Sequence, residues 1–323
     1  MTSPWLVEIV DRTLGPLNLI LRRRSSWEAL EYRLKEISKE LLDLRSSRSS
    51  ATHSAEMREL WNQLSTQSEF GFISHLEPGA QWDLEEFNIV GSRFVERMIE
   101  RFKDYGDRPT GQSSICEIGC GVGRFLKPLA RHFRHVIGVD VSIQMIAAAQ
   151  RYCSGLGNIS LYLNDGMALG GSESDSVDYC VSAGVFQHIT DFRIIAGYII
   201  EALRILRPSG IFLFQFEGNR TEAVGDGQQG AKITAAALDQ ALSEIPYEIC
   251  EVSQDSGDPI RNVVVVLRKP HSQARQLEHK RSFQNFRMTD RPWLTGVYNG
   301  IETRTQMHVR LLGPKAPCTF YDL

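Results

Sequence analysis

Residues 115–124 read ICEIGCGVGR, a short apolar run that meets glycine at Gly119, Gly121 and Gly123. An apolar run of four to eight residues closed by glycine reads as a buried strand entering a turn. Each glycine removes a side chain, so the backbone can turn sharply and approach a ligand closely. A dinucleotide loop wants its third glycine three residues after the second, where strand and helix pack tightly. That position holds the bulky Arg124. Glu117, two residues before the turn, would repel a pyrophosphate and attract a cationic group.

Downstream the hydrophobic period switches repeatedly between two and 3.6. SICEIG is a strand and VGRFLKPLARHF a helix; HVIGVD is a strand and SIQMIAAAQRYC a helix with Ser142 at its N-cap. ISLYLND and SVDYCVSA are the third and fourth strands. DFRIIAGYIIEALRILRPSG is a long helix stopped by Pro208 and Gly210, followed by the strand IFLFQFEG. A helix over about 233–242 then precedes two strands, YEICEVSQ and RNVVVVLRK. This alternation predicts an α/β fold: a doubly wound, Rossmann-like sheet, mostly parallel with an antiparallel last strand, and helices on both faces. In such a sheet the ligand lies beyond the carboxyl ends of the strands, where the first glycine loop is found.

Acids close the neighbouring strands. Asp140 ends the second, 21 residues after Gly119, where a carboxylate accepts from both ribose hydroxyls of an adenosine. Asp165 ends the third, before Gly166 and Met167, where it can accept from an adenine amino group. Together with Glu117, these suit an uncharged adenosine carrying a positive tail.

The ordered stretches ICEIGCGVGRFLKPLA, VIGVDVSIQMIAAAQ, LYLNDGMAL, SVDYCVSAGVFQHI and EALRILRPSGIFLF resemble the motifs of class I S-adenosylmethionine-dependent methyltransferases, over roughly residues 84–268. VFQHI is similar to the small-molecule and natural-product members. The resemblance implies S-adenosyl-L-methionine as cofactor. Glu117, Gly119, Cys120, Gly121 and Gly123 would hold its methionine portion and Asp140 its ribose. Val141, Met145, Asp165, Gly166 and Met167 would surround the adenine, with Ser182 lining the pocket. WDLEEFNIVGSRF resembles a helix that closes over the cofactor in some members, which makes Phe87, Gly91 and Arg93 further contact candidates; an amphipathic cover helix without ligand contact is the competing reading.

Methyl transfer needs alignment, exclusion of water and often removal of an acceptor proton. His188, after the fourth strand, is the candidate base, because histidine titrates near neutrality; a structural histidine is the competing reading. Glu217, ending the fifth strand, is a weaker candidate. Gln187 is a further pocket candidate, and Phe214, Phe216, Trp293 and Tyr298 are candidate apolar walls, with core packing the default reading of the first two. No His/Asp/Glu set has metal-ligand spacing. The fourth strand is followed by Ser182, Ala183, Gly184 and Val185 rather than the Asn/Asp-Pro-Pro-aromatic motif of enzymes acting on base amino groups. A small acceptor, a sugar or other hydroxylated metabolite methylated on oxygen, is the favoured expectation. The alternatives are a protein or RNA methyltransferase and a non-catalytic subunit that kept the fold.

The remaining chain bounds these readings. The 323 residues carry a net charge of -3, which offers no global basicity for nucleic acid. Lys269 onward holds nine Lys/Arg against four Asp/Glu, which fits either an anion-binding tail or a solvated surface. Six cysteines without CxxC spacing fit a reduced, cytoplasmic chain. Trp27, Leu30, Leu34, Ile37, Leu41 and Leu44 form a short heptad seam. The seam fits a coiled coil that pairs two chains into a homodimer, or one helix on its own domain. The first 24 residues, ending in Arg22, Arg23 and Arg24, fit peripheral contact with an anionic membrane or docking on protein. SSRSSATHS reads as a linker. The expected organisation is an N-terminal helical extension over 1–58, a helical cover over 59–110, the methyltransferase core over 111–269 and an appendage over 270–323.

Overall fold

The structure, a computed structural model, describes residues 52, 54–63, 84–106, 109–166, 168–169, 171–218, 230–254, 262–271 and 282–291. The heptad seam, Met167, Trp293, Tyr298 and the tail from 292 lie outside the described residues. The first glycine loop leaves strand β1 (Ser114–Ile118), every residue of which is buried. β1 lies between β2 (His135–Asp140) and β4 (Val177–Ser182), parallel to both, with Cys116 opposite Ile137 on one side and Cys180 on the other.

The sheet continues with β3 (Ile159–Leu163) outside β2, and with β5 (Leu206–Glu217), β7 (Asn262–Arg268), β6 (Glu248–Gln254) and the two-residue β8 (Thr289–Asp290) beyond β4. The order is β3-β2-β1-β4-β5-β7-β6-β8. Only β7 runs antiparallel to its neighbours in this sheet, as expected for the last of the seven predicted strands. Strand order reverses between β1 and β4, which opens the ligand crevice above their carboxyl ends.

Alternation along the strands sends successive side chains to opposite faces. Cys116, Ile118, Val139, Cys180, Phe212, Phe214 and Phe216 join one buried cluster with Ile195, Tyr198 and Ile199 of helix α5 (Phe192–Ile205) and Leu238 of α6 (Ala235–Ala241). Ile115, Val136, Tyr179, Val181, Ile211 and Leu213 pack on the other face under α2 (Leu84–Tyr105), α3 (Leu126–Leu129) and α4 (Ile143–Tyr152). One further helix, α1, covers residues 54–63.

Several boundaries differ from the sequence reading, for identifiable reasons. The helix expected over VGRFLKPLARHF contracts to the four residues of α3. Gly123 sits at φ +94, and a longer helix would place Pro128 in its interior, where proline removes a donor and clashes with the preceding turn. The α5 helix ends at Ile205 rather than at Pro208, because Leu206 is already extended (ψ 138) and strand β5 begins there. Proline also biases Arg207 before it towards extended backbone. Asp165 lies two residues beyond β3 rather than at its end.

Packed structure is present at the end of the expected linker and beyond residue 270. Ser54, the last residue of the expected linker, is helical and 3% exposed. Beyond residue 270, Phe283 is fully buried in the main core and stacks on Tyr247 at 5.7 Å, while β8 extends β6. A buried charge network fastens the same segment. Arg101 donates to Glu251 Oε1 at 2.6 Å and to Ser253 Oγ at 3.0 Å, and Arg291 donates to Glu251 Oε2 at 2.9 Å. Arg101 and Glu251 are each 3% exposed, so the pair is held away from water. Burial and the adjacent Glu251 push the Tyr105 hydroxyl up to about 12. None of this had a signal in the sequence, because the partners lie far apart along the chain, 40 residues for Arg291 and Glu251 and 150 for Arg101 and Glu251.

Candidate active site

The glycine loop is built by positive-φ backbone. Gly119 (φ +72), Gly121 (φ +53) and Gly123 (φ +94) all occupy the left-handed region that β-carbons disfavour. At Gly119 a β-carbon would also overlap the Val185 side chain, so the loop after β1 and the residue three before His188 are pressed together. Gly119 and Cys120 donate their N–H groups to the Val139 carbonyl at 2.8 and 3.0 Å, which holds the loop against β2.

Asp140 completes that junction. Its Oδ2 accepts from Gly121 N at 2.9 Å and its Oδ1 from Ser142 N at 2.9 Å. Burial raises the carboxyl above its ordinary value, while the backbone donors of Ser142, Gly121 and Val141 oppose the shift. A carboxylate has about four lone-pair positions, so these backbone bonds leave it further acceptor capacity. Ser142 then caps α4 by accepting from Met145 N at 3.2 Å, which sets Met145 (2% exposed) in a small cluster with Phe87, Val122 and Ala148.

Glu117 is 3% exposed, and its Oε2 is buried without a hydrogen-bond partner. Desolvation pushes its carboxyl well above the ordinary value, against the opposing pull of Arg124. A buried orphan acceptor calls for a donor from a ligand, and the ammonium of an amino-acid moiety supplies one. The carboxylate, the glycine cradle and Asp140 therefore fit S-adenosylmethionine. Cys120 is 4% exposed and its thiol is pushed well above the usual range by burial, so its part is packing.

The loop after β3 supplies the opposite edge. Asn164, which sequence reasoning missed, accepts from Gly166 N at 2.9 Å and from Tyr198 Oη at 3.1 Å, and donates to the Ala168 carbonyl at 3.2 Å. Asp165 is exposed, and its Oδ1 accepts from Ala168 N at 3.1 Å, closing its own turn. Gly166 (φ +84) lies against Val141 and Ser54, with no room for a β-carbon.

Other predicted residues have mainly structural neighbours. Ser182 is fully buried and donates to the Ile118 carbonyl at 3.3 Å, bridging β4 and β1. Gly91 abuts the Arg124 carbonyl, so it is a close-packing glycine between α2 and the loop. Phe87 is fully buried beneath Tyr152. Arg93 is half-buried on α2. Phe214 and Phe216 are at most 1% exposed and stack in the core beside Phe186, in line with core packing as their default reading. Gln187 is 7% exposed, with its Oε1 at 3.5 Å from Gln215 Nε2. Glu217 is the last residue of β5, opposite Asn262.

His188 ends a 3-10 turn (Phe186–His188) directly after β4, and its N–H donates to the Val185 carbonyl at 2.9 Å. Its half-buried ring meets Trp61 of α1 edge-on, with centroids 5.3 Å apart and planes at 74°. The same helix donates from Ser54 Oγ to the Asp165 carbonyl at 2.5 Å. Ser54, Met57 and Trp61 recur at three and four residues, a helical face that was the available but unread signal. Among the described residues, no group of three His, Cys, Asp or Glu is arranged to hold a metal ion.

A family model described as a methyltransferase domain matches residues 115–210, which contain the glycine loop, Asp140 and His188. Residues 115–210 form a methyltransferase domain. The chain is 24% identical over 195 residues to the ubiquinone biosynthesis O-methyltransferase of Maricaulis maris, covering 58% of this chain and 75% of that protein. It is 27% identical to the Sinorhizobium fredii protein of the same name, covering 43% of this chain but 55% of the relative. Among solved structures it shares the fold of Haemonchus contortus phosphoethanolamine N-methyltransferase 1, with a TM-score of 0.51 and 15% identity over 81% of this chain and 53% of that one. No helix among the described residues is long and apolar enough to cross a membrane.

Proposed function

We propose that the chain transfers a methyl group from S-adenosylmethionine to a hydroxyl of a small metabolite, a sugar or another hydroxylated compound, with His188 as the base. The observation that carries this reading is the meeting of Trp61 and His188 above β4. It sets an imidazole beside the glycine loop and beneath a helix, a setting suited to a small acceptor shielded from water. Resemblance to proteins named O-methyltransferases supports oxygen as the acceptor atom.

In this reading Glu117 takes the ammonium of the amino-acid moiety and Asp140 the ribose hydroxyls. Val141, Met145 and Gly166 flank the adenine. When bound, S-adenosylmethionine supplies an electrophilic methyl carbon on a sulfonium that leaves as a neutral thioether. His188 takes the proton of the acceptor hydroxyl as its oxygen becomes bonded to carbon, so no alkoxide need form free in solution. Helix α1 and the loop after β3 keep water from competing.

The test is incubation of the full chain with methyl-labelled S-adenosylmethionine and a metabolite extract. The expected result is a labelled methyl ether of a small molecule, absent with Asp140→Ala and strongly reduced with His188→Asn. Label confined to protein or RNA would overturn the acceptor assignment, and full turnover by His188→Asn would return that residue to a structural role.

A further inference from the structure

Trp61 touches two halves of the site. Its indole packs against the cluster of Phe87, Val122, Met145 and Ala148, on the side assigned to adenine. It also meets the His188 ring edge-on at 5.3 Å, on the side assigned to the acceptor. Ser54, two helical turns earlier on the same helix, is bonded to the Asp165 carbonyl beside Gly166. One end of α1 is thus tied to the loop after β3, and the indole near its other end spans the distance to the base.

We propose that Trp61 is a positioning residue that transmits occupancy of the adenine side of the pocket to the orientation of the His188 ring. The inference rests on His188 being the base. Edge-on aromatic contact has a preferred geometry, because the electropositive edge of one ring seeks the negative face of the other. The orientation of an imidazole decides where its accepting nitrogen points. An adenine seated against Met145 restricts the cluster on which the indole rests and so narrows the motion of Trp61. His188 is then aimed before the acceptor arrives. This gives the helix a role beyond excluding water.

The experiment uses the full chain labelled with 13C-histidine and titrated with S-adenosylhomocysteine. The His188 signal is the one missing in His188→Asn. In the wild type and in Trp61→Phe, ligand binding is expected to shift or sharpen that signal. In Trp61→Ala the ligand is expected to bind within about tenfold of wild type, while the His188 response disappears. Trp61→Leu, which fills the space without a ring, replaces Trp61→Ala if that variant does not fold. With the acceptor in hand, either ringless variant should lower kcat on the order of 10- to 100-fold, as expected for a misaligned base, with the KM for S-adenosylmethionine little changed.

A His188 signal that ignores the ligand in the wild type, or that responds equally without the indole, overturns the coupling. Failure of the underlying reading has a different signature: no binding of S-adenosylhomocysteine by the wild type, or full turnover by His188→Asn.

Discussion

Gly121 donates its backbone N–H to Asp140 Oδ2 at 2.9 Å, joining the turn after β1 to the end of β2. The residue expected to hold the ribose is therefore also the brace of the glycine loop. Its second oxygen accepts from Ser142 N at the head of α4.

Substitution at Asp140 should accordingly affect both binding and stability. Asp140→Ala leaves two N–H groups without their acceptor, at a cost of about 1–3 kcal/mol for each that stays dry. Calorimetry should show S-adenosylhomocysteine affinity reduced at least about 100-fold, a loss of roughly 2.7 kcal/mol, and thermal denaturation should show a lowered Tm. Unchanged affinity would remove Asp140 from the cofactor site.

Glu117 predicts a pH effect of opposite sign to that of a salt-bridged carboxylate. Its folded pKa is raised by burial. In the unliganded protein, stability is therefore fully present below the ordinary carboxylate value and declines as pH rises towards the folded one, because the unfolded chain ionises first. Glu117→Gln lacks this loss. Its Tm should exceed that of the wild type increasingly as pH rises above the ordinary carboxylate value of about 4.5, whereas its affinity for S-adenosylhomocysteine should be weaker. Binding of the ligand ammonium favours the carboxylate, so proton release should appear as a buffer-dependent binding enthalpy in the wild type and be diminished in the variant.

Two glycines with similar backbone angles should respond differently. Gly119 and Gly184 have φ of +72 and +74, but a β-carbon at Gly119 would meet Val185 whereas Gly184 faces open space. Gly184→Ala should cost about 1–2 kcal/mol, the price of left-handed backbone. Gly119→Ala adds overlap in a packed region and should cost more, with loss of S-adenosylhomocysteine binding. Urea denaturation of both variants tests the ordering, and equal losses would contradict it.

The buried pair Arg101–Glu251 should dominate the anchoring of the segment that carries Phe283 and Arg291. Removing one partner strands the other charge, so Glu251→Ala should destabilise by about 3–5 kcal/mol. Arg291, whose side chain is 32% exposed, should matter less when truncated. Both variants should bind S-adenosylhomocysteine normally at temperatures where they remain folded, because the network lies outside the cofactor loop. Denaturant midpoints paired with binding measurements separate the two effects.

The core of the fold was legible because its signals are local. A buried strand must be apolar, a sharp turn needs glycine, and Ser142 before a helical period marks a cap; each is written within a few residues. Thus β1, the loop, Asp140 and the antiparallel β7 follow from the chain in order, as does the preference for an adenosine with a cationic tail. Helix lengths were less legible, since Pro128 and Leu206 change course through backbone constraints that hydrophobic periodicity does not register. What only the tertiary structure decided are the meetings of distant segments: Ser54 with Asp165, Trp61 with His188, and Arg101 with Glu251 and Arg291. Such contacts depend on where the sheet brings its edges and covering helices, and a single sequence carries no local mark of them. The sequence by itself determined the glycine turn after β1 and the aspartate that braces it, while packing decided which ring stands against His188.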